Sequence, residues 1–184
     1  MTLARADDSV LVIVDIQEKL APAMPPDVRR EVFSSTAVLL QAAAEVGVPV
    51  IASEQYPKGL GHTVEEVSGH FPVGSQVVEK DSFSCCDDAG FTEALEATGR
   101  NQVVVAGMEA HVCVLQTAVQ LHDAGFVPFV VADGVCSRRE AHKQNALDRL
   151  RANRVNVANV ESVLFEWLQR AGTDAFRKLS RLIR

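Results

Sequence analysis

Apolar residues along this chain fall in short runs, and the segments between the runs carry apolar residues at helical spacing. The runs are rich in Val and Ile, a composition typical of strands buried on both faces of a parallel sheet. Six such strands are predicted at residues 9–16, 48–53, 76–79, 102–106, 127–132 and 155–158. Helices are predicted at residues 27–46, 90–98, 111–124, 137–152, 161–170 and 173–183. This alternation predicts a parallel α/β sheet with helices on both faces.

Several residues predict where individual elements begin or end. Gly107 follows the fourth run and is predicted to end that strand. Asp27 and Thr173 stand where each can cap a helix. Ser137 and Glu140 have the spacing of a capping box at the start of another helix.

Composition and charge narrow the class of protein. A chain of 184 residues with 47% hydrophobic content can bury one sizeable core, so a single domain over residues 1–184 is expected. The net charge of -6 disfavours nucleic acid and anionic membranes as partners. No apolar run approaches the length of a membrane span. Asp7 and Asp8 occupy the stretch where a signal peptide is apolar, which predicts a cytoplasmic protein.

Neither a metal site nor a cofactor is predicted. Four cysteines are too few for a disulfide framework in a chain of this size, and no C-x-x-C pair occurs. Five histidines are scattered without the spacing of metal ligands. The glycine-rich signatures of dinucleotide and P-loop phosphate sites do not occur either.

Three chemically complementary residues follow different predicted strands. Asp15 follows the first strand, Lys80 the third and Cys113 the fourth. The carboxyl ends of parallel strands meet at one edge of the sheet, so a carboxylate, an ammonium and a thiol are expected to converge there. Asp15 can accept the thiol proton, and Lys80 and the helix that begins near Cys113 are expected to favour a thiolate.

Structural roles for the same residues remain open at this point. Cys113 is also compatible with a small buried hydrophobic residue, because free cysteine is among the most buried residue types. Asp15 and Lys80 are also compatible with a purely structural ion pair. Asp133 follows the fifth strand and is better explained as an acid that caps a loop.

The segments around these three residues resemble the isochorismatase-like cysteine hydrolase family. The similarity is carried by VIVDIQEKL around Asp15, VVEKDSFS around Lys80 and VVVAGMEAHVCVLQTA around Cys113. It extends over almost the whole chain through EQYPKGLG and VVADGVCSR. The GxEAxxC form and the segment ESVLFEWL are most similar to the isochorismatase-domain subgroup, whose substrates are poorly defined.

The resemblance implies a fold and a set of site residues. The fold would be a Rossmann-like three-layer α/β/α sandwich with six parallel strands in the order 3-2-1-4-5-6. Asp15, Lys80 and Cys113 would form the catalytic triad of the family. A non-proline cis peptide would join Met108 to Glu109, and the backbone N–H groups of Glu109 and Cys113 would form the oxyanion hole.

The chain departs from the resemblance at two places. Nicotinamidases of the family bind a metal at the end of strand two through an Asp-x-His pair and a later His, whereas this chain has Ser53, Glu54, Gln55 and Tyr56 there. Cys85 and Cys86 replace a small residue followed by an aromatic one, which is expected to reshape the pocket. Cys113 itself argues against the vinyl-ether chemistry of true isochorismatases, which often lack the cysteine.

The expected function is hydrolysis of a small amide or related acyl compound through a thioester, without a metal. A catalytically silent binding or scaffold protein and a hydrolase of an isochorismate-type vinyl ether are the alternatives. Tyr56, Phe83 and Met108 are expected to line the substrate pocket. A homo-oligomer, dimer or larger, is expected; the apolar residues of the last two helices could serve either its interface or the core.

Overall fold

A parallel sheet of six strands forms the centre of the computed structural model, which describes residues 2–183. The strands are β1 (Ser9–Val14), β2 (Val50–Gln55), β3 (Gln76–Lys80), β4 (Gln102–Met108), β5 (Val127–Cys136) and β6 (Asn156–Ala158). They lie in the order β3-β2-β1-β4-β5-β6, and every neighbouring pair is parallel. The predicted strand order is therefore confirmed.

Helices connect the strands and cover both faces of the sheet. They are α1 (Pro26–Val46), α2 (Pro57–Leu60), α3 (Glu65–Ser68), α4 (Ala89–Ala97), α5 (Leu115–Asp123), α6 (Glu140–Ala152), α7 (Val160–Leu168) and α8 (Asp174–Leu179). Two short 3-10 turns span Ala21–Ala23 and Cys85–Asp87, and a π-helical turn spans Ala110–Val114 immediately before α5.

Alternating side chains of the strands divide the core into two parts. In β1, Leu11 and Ile13 pack into the core on the face covered by α1, α7 and α8, whereas Val10, Val12 and Val14 pack into the core on the face of α4, α5 and α6. Successive strand residues point to opposite faces, so a strand buried on both sides must be apolar throughout. This explains the continuous Val- and Ile-rich runs in the sequence.

Gly107 does not end β4, as the sequence had predicted, but lets the strand continue close to β1. Its φ is +129°, and a Cβ atom added there would lie 2.1 Å from the carbonyl oxygen of Val14. Only glycine allows this backbone conformation and this approach. The strand therefore runs on to Met108.

The fifth strand is also longer than predicted. It continues past 132 to Cys136, with an irregular register against β4. Asp133 accepts a hydrogen bond from the Val160 amide at 2.9 Å, so its side chain holds the first turn of α7. The predicted strand end at residue 132 is wrong because Asp133 continues the strand and its side chain caps α7 rather than a loop.

Helix caps were predicted with mixed success. Thr173 does cap α8, since its hydroxyl accepts from the Phe176 amide at 3.0 Å. The capping box of Ser137 and Glu140 is wrong: α6 has Arg139 at its N-cap, and the Ser137 hydroxyl instead pairs with His111 Nδ1 at 2.9 Å.

The last two helices close one side of the core. Trp167 is 4% exposed and donates from Nε1 to the Ser9 hydroxyl at 3.0 Å, which ties α7 to β1. Phe165 remains 40% exposed. Among the described helices, none combines the length and the apolar character that crossing a membrane requires.

Candidate active site

Asp15 follows β1 directly and is completely buried. Its φ of 50° lies in the left-handed region, which Asp tolerates better than most non-glycine residues. Its amide donates to the Ser53 carbonyl at 3.1 Å, and its carbonyl accepts from the Gln17 amide at 2.9 Å. The backbone therefore fixes the position of this carboxylate at the carboxyl edge of the sheet.

Lys80, the last residue of β3, is paired with Asp15 in the protein interior. The Nζ atom lies 2.8 Å from Asp15 Oδ2, and both side chains are 0% exposed. Nζ also donates to Gln55 Oε1 at 2.7 Å and to the carbonyl oxygens of Ser82 and Phe83 at 3.0 and 3.1 Å. An ammonium has three protons, so these four acceptors engage all of them. Lys80 holds Asp15 and has no proton left for a substrate.

Cys113 lies in the π-helical turn after β4 and is 6% exposed. Its thiol neighbours the Asp15 carboxylate, whose charge acts on it. Burial, together with the Asp15 charge, raises the pKa of Cys113 to about 12, against the opposing effect of Lys80. Lys80 does favour the thiolate, as expected, but desolvation of the anion outweighs it, so the net shift of the Cys113 pKa is upward.

Asp15 is correspondingly suited to accept a proton. Burial raises the pKa of its carboxyl above the ordinary value, whereas the Lys80 ammonium and the Ser53 hydroxyl favour the ionised form. A carboxylate whose pKa is raised is a stronger base toward a neighbouring thiol. The pair of a protonated thiol and a buried carboxylate can therefore generate a nucleophile when a substrate reacts.

The turn after β4 is anchored through the Glu109 side chain. The Met108–Glu109 peptide is cis. The Glu109 carboxylate is 9% exposed and accepts from Arg138 Nε at 2.9 Å, which connects the ends of β4 and β5. His111 follows on the same turn and is held by Ser137. These contacts fix the backbone that leads into the π-helical turn.

The three residues expected to line the pocket have different surroundings. Tyr56 and Phe83 are 55% and 58% exposed. Met108 is 0% exposed and packs into the core on the α1 face, whereas Cys113 belongs to the core on the other face. The expectation for Met108 is therefore corrected: β4 extends through this residue, and its alternation turns the side chain away from Cys113.

A groove of about 490 Å³ opens beside the ends of β2 and β3. Acidic side chains dominate its wall, and Lys58 is its exposed cation. Its lining residues are Tyr56, Pro57, Lys58, Glu79, Lys80, Asp81, Ser82, Asp87 and Asp88. The groove thus reaches Lys80 from the solvent side, and Cys113 lies outside its lining.

The end of β2 does not fit a metal-binding set. Ser53 donates to Asp15 Oδ1 at 2.7 Å, Glu54 is bound to His62 and Thr63, and Gln55 accepts from Lys80. The side-chain oxygens of Ser53, Glu54 and Gln55 are thus all engaged by protein groups. Within residues 2–183, no group of three or more His, Cys, Asp and Glu side chains is arranged to hold a metal ion.

Ser53 and Gln55 join the site, although the sequence assigned them no part in it, and Cys85, which was expected to reshape the pocket, lies against Ser53. Ser53 contacts Asp15, Gln55 contacts Lys80, and Cys85 Sγ lies 3.5 Å from the Ser53 hydroxyl. Gln55 and Lys80 are register partners of parallel strands, so the position of Gln55 at the end of β2 was a usable signal. The Cys85 contact depends on a loop path that no periodicity predicts.

Glu54 holds the loop that carries Tyr56, and its loss is expected to destabilise the protein. The carboxylate is 5% exposed and accepts from the amide and hydroxyl of Thr63 at 2.7 and 2.8 Å. In Glu54→Gln an amide N–H₂ would face one of these donors, so a cost of about 1–3 kcal/mol is expected. Urea unfolding measures it. Glu79→Gln is the matched control, because Glu79 is the exposed register partner of Glu54; equal effects of the two changes would contradict the assignment.

Glu54 and His62 together give the stability of the fold a pH dependence of defined sign. Burial works to raise the pKa of Glu54, but hydrogen bonds from Thr63 and His62 outweigh it and hold the pKa below its ordinary value of 4.5. The Glu54 carboxylate raises the pKa of His62 above 6.5. The contribution of Glu54 to the free energy of unfolding is lost as pH falls through its folded pKa, and that of His62 is lost as pH rises through its folded pKa. Their sum is largest between pH 4.5 and 6.5, and His62→Gln should flatten the unfolding profile on the alkaline side.

Comparisons with known proteins agree with this architecture. The Isochorismatase domain family matches residues 9–162. Isochorismatase domain-containing protein 2 of Danio rerio is 35% identical over 175 residues, which cover 95% of this chain and 86% of that protein.

Two solved structures share the fold. The MAR1 ribonuclease of Caenorhabditis elegans has a TM-score of 0.92 at 29% identity, covering 99% of this chain and 92% of that one. The YcaC gene product of Escherichia coli, described as an octameric hydrolase of unknown specificity, has a TM-score of 0.89 at 23% identity, covering 99% and 91%. With its six-stranded order and the family match over most of its length, the chain belongs to the isochorismatase family of hydrolases.

Proposed function

We propose that the protein is a cysteine hydrolase of a small amide or related acyl compound, acting through a thioester on Cys113. One observation carries the proposal: the buried Asp15 carboxylate is paired with the Lys80 ammonium at 2.8 Å and neighbours the Cys113 thiol, on which its charge acts. A purely structural ion pair requires no thiol beside it. A carboxylate held by a lysine and placed against a protonated thiol has the composition of an activated nucleophile.

Acylation begins with proton transfer from Cys113 to Asp15. The sulfur attacks the substrate carbonyl carbon, and the carbonyl electrons move to the oxygen. The backbone N–H groups of Glu109 and Cys113 stabilise that oxyanion. Collapse of the intermediate breaks the C–N bond, and Asp15 returns its proton to the leaving amine. Lys80 keeps Asp15 oriented throughout.

Deacylation uses the same base. Asp15, again ionised, takes a proton from a water molecule that attacks the thioester carbonyl. The C–S bond breaks, the thiolate of Cys113 takes that proton back from Asp15, and the carboxylic acid product leaves. No step requires a metal ion, in line with the donors at the end of β2, which are engaged by protein groups.

Charge around the groove favours a small neutral or cationic substrate. Four acidic residues, Glu79, Asp81, Asp87 and Asp88, line it, and the whole chain carries a net charge of -6. Such a surface repels a phosphate backbone. We therefore propose small-molecule hydrolysis rather than RNA cleavage, although several structural relatives are named ribonucleases. Exposed Tyr56 and Phe83 would contact the substrate at this edge.

Trapping the acyl group on Cys113 tests the proposal. The protein is incubated with a panel of small amides and activated esters, quenched in acid and analysed by intact and peptide mass spectrometry. A mass increase equal to the acyl group, located on the peptide with Cys113 and lost on return to neutral pH, is expected. Turnover of a vinyl ether without an adduct would instead favour isochorismate-type chemistry, and neither result over the panel would favour a binding protein.

Assembly and location are separate proposals. A homo-oligomer is proposed because β3 is an edge strand with Val77 49% exposed, and because a structural relative is an octamer. Light scattering at several concentrations measures the state. A cytoplasmic location remains a prediction from the sequence, and cell fractionation tests it.

A further inference from the structure

A second thiol lies behind the Asp15 carboxylate. Cys85 is 0% exposed and begins the 3-10 turn that follows the Lys80 loop. Its Sγ lies 3.5 Å from the Ser53 hydroxyl, and that hydroxyl lies 2.7 Å from Asp15 Oδ1. Two hydrogen bonds thus connect Cys85 to the carboxylate, on the oxygen that Lys80 does not bind.

The protons available on each group set the donor-to-acceptor direction of these two hydrogen bonds. An ionised carboxylate only accepts, so the single hydroxyl proton of Ser53 is donated to Asp15. Ser53 therefore has only lone pairs to offer Cys85, and the thiol must be the donor. Burial raises the pKa of Cys85, so its thiol remains protonated and able to donate. The chain runs from the Cys85 S–H through the Ser53 O–H to Asp15 Oδ1.

The position of Cys85 is fixed by the helix that follows the nucleophile. The Cys85 amide donates to Thr117 Oγ1 at 2.9 Å, and Thr117 is buried on α5 one turn beyond Cys113. The loop after β3 is thereby fastened to the helix that follows the π-helical turn of Cys113. Asp15 is held by Lys80 at one oxygen and by the Ser53–Cys85 pair at the other.

We propose that Cys85 is a positioning residue for Asp15 and acts through Ser53. This inference rests on the proposed function, in which Asp15 is the base for Cys113. The Cys85 thiol donates to a lone pair of the Ser53 oxygen, and this contact orients the Ser53 proton toward Asp15 Oδ1. Hydrogen bonds in series also strengthen one another. The oriented Ser53 proton keeps Asp15 ionised and its remaining lone pairs directed at Cys113.

The pH profile of Cys113 alkylation tests this role without a substrate. Iodoacetamide labels wild type, Cys85→Ala, Cys85→Ser and Cys86→Ala, and peptide mass spectrometry follows Cys113 alone. The acidic limb of this profile is the pH range in which the alkylation rate rises as Asp15 loses its proton. In Cys85→Ala this limb should move to higher pH by about half a unit to one unit, with about a three- to tenfold slower reaction on that limb. Cys85→Ser, which restores a donor, should recover most of the shift. Cys86→Ala, at a half-buried thiol of the same turn, should leave the profile unchanged.

Each remaining outcome has a defined meaning. If Cys85→Ala leaves the acidic limb in place while wild type shows one, the role of Cys85 is refuted and the proposed function stands. If Cys85→Ser behaves like Cys85→Ala, the residue acts by packing and the proposal fails. If wild type shows no acidic limb, Asp15 is not the base, and the proposed function fails first. Circular dichroism of each variant confirms that it is folded. Ser53→Ala, which removes the direct donor to Asp15 Oδ1, should shift the limb at least as far as Cys85→Ala.

Discussion

Replacing Cys113 with Ala is expected to lower amide turnover by about 10⁴-fold or more, because the nucleophile of a triad cannot be compensated by its partners. Cys113→Ser should lose at least about 10³-fold, since a hydroxyl is far harder for Asp15 to deprotonate than a thiol. Both variants should unfold close to wild type in urea, because the changes remove or replace one small side-chain atom. Turnover of the best amide substrate and the trapped acyl mass are the two measurements.

Cys86→Ala provides the control for loss of a thiol. Cys86 lies beside Cys85, and its Sγ contacts the Thr117 carbonyl at 3.7 Å rather than Asp15. It should retain nearly full activity. Activity of Cys113→Ala within tenfold of wild type would overturn the nucleophile assignment, because turnover would then proceed without a thioester on Cys113.

Replacing Lys80 with Met is expected to lower both stability and activity. It removes the partner of a carboxylate that is 0% exposed, and breaking a buried ion pair in this way costs about 3–5 kcal/mol of unfolding free energy. Activity should fall at least about a hundredfold, because Asp15 would no longer be oriented or held ionised. Urea unfolding followed by circular dichroism gives the free energy, and kcat/KM gives the activity.

The sign of the pH effect separates an unpaired charge from poor packing. Burial already raises the pKa of Asp15, and loss of Lys80 removes the largest opposing influence. Asp15 in the folded variant then binds a proton more tightly than in the unfolded chain. The loss of stability relative to wild type should therefore shrink as pH falls through the folded pKa of Asp15.

Two further variants complete this test. Adding Asp15→Asn to Lys80→Met should restore much of the stability and none of the activity. Lys19→Met, at an exposed lysine outside the lining of the groove, should change neither property. A deficit in Lys80→Met that is independent of pH would contradict the unpaired carboxylate as its cause.

The sheet and the convergence of three residues could be predicted because both follow from periodicity. Val- and Ile-rich runs separated by helical segments define a parallel sheet, and residues that follow parallel strands must share an edge. Asp15 and Lys80 meet at that edge as expected. The strand order came from the family resemblance rather than from the pattern, which does not fix which strands are neighbours.

Other features depended on contacts between segments distant in sequence. Gly107 was predicted to stop a strand, whereas its lack of a Cβ serves the approach to Val14. Because β4 extends through Met108, this side chain packs into the core on the α1 face, opposite to the face of Cys113, and does not line a pocket at the thiol. The protonated state of Cys113 reflects how deeply the turn is buried, which a local helix argument cannot include. Ser137 was assigned to a helix cap because its partner, His111, lies 26 residues away.

The way in which Lys80 is held has a consequence for how this enzyme could acquire new substrates. Two of its four acceptors are main-chain carbonyls, those of Ser82 and Phe83. Any residue at these positions supplies the same carbonyl, so mutation of the exposed Phe83 side chain need not disturb the ion pair beneath it. The side chain at position 83 can therefore change without altering the Lys80–Asp15 pair on which the proposed catalysis depends. A library randomised at Phe83 and Tyr56 should therefore yield altered selectivity among amides while most members keep the parental stability and Cys113 reactivity.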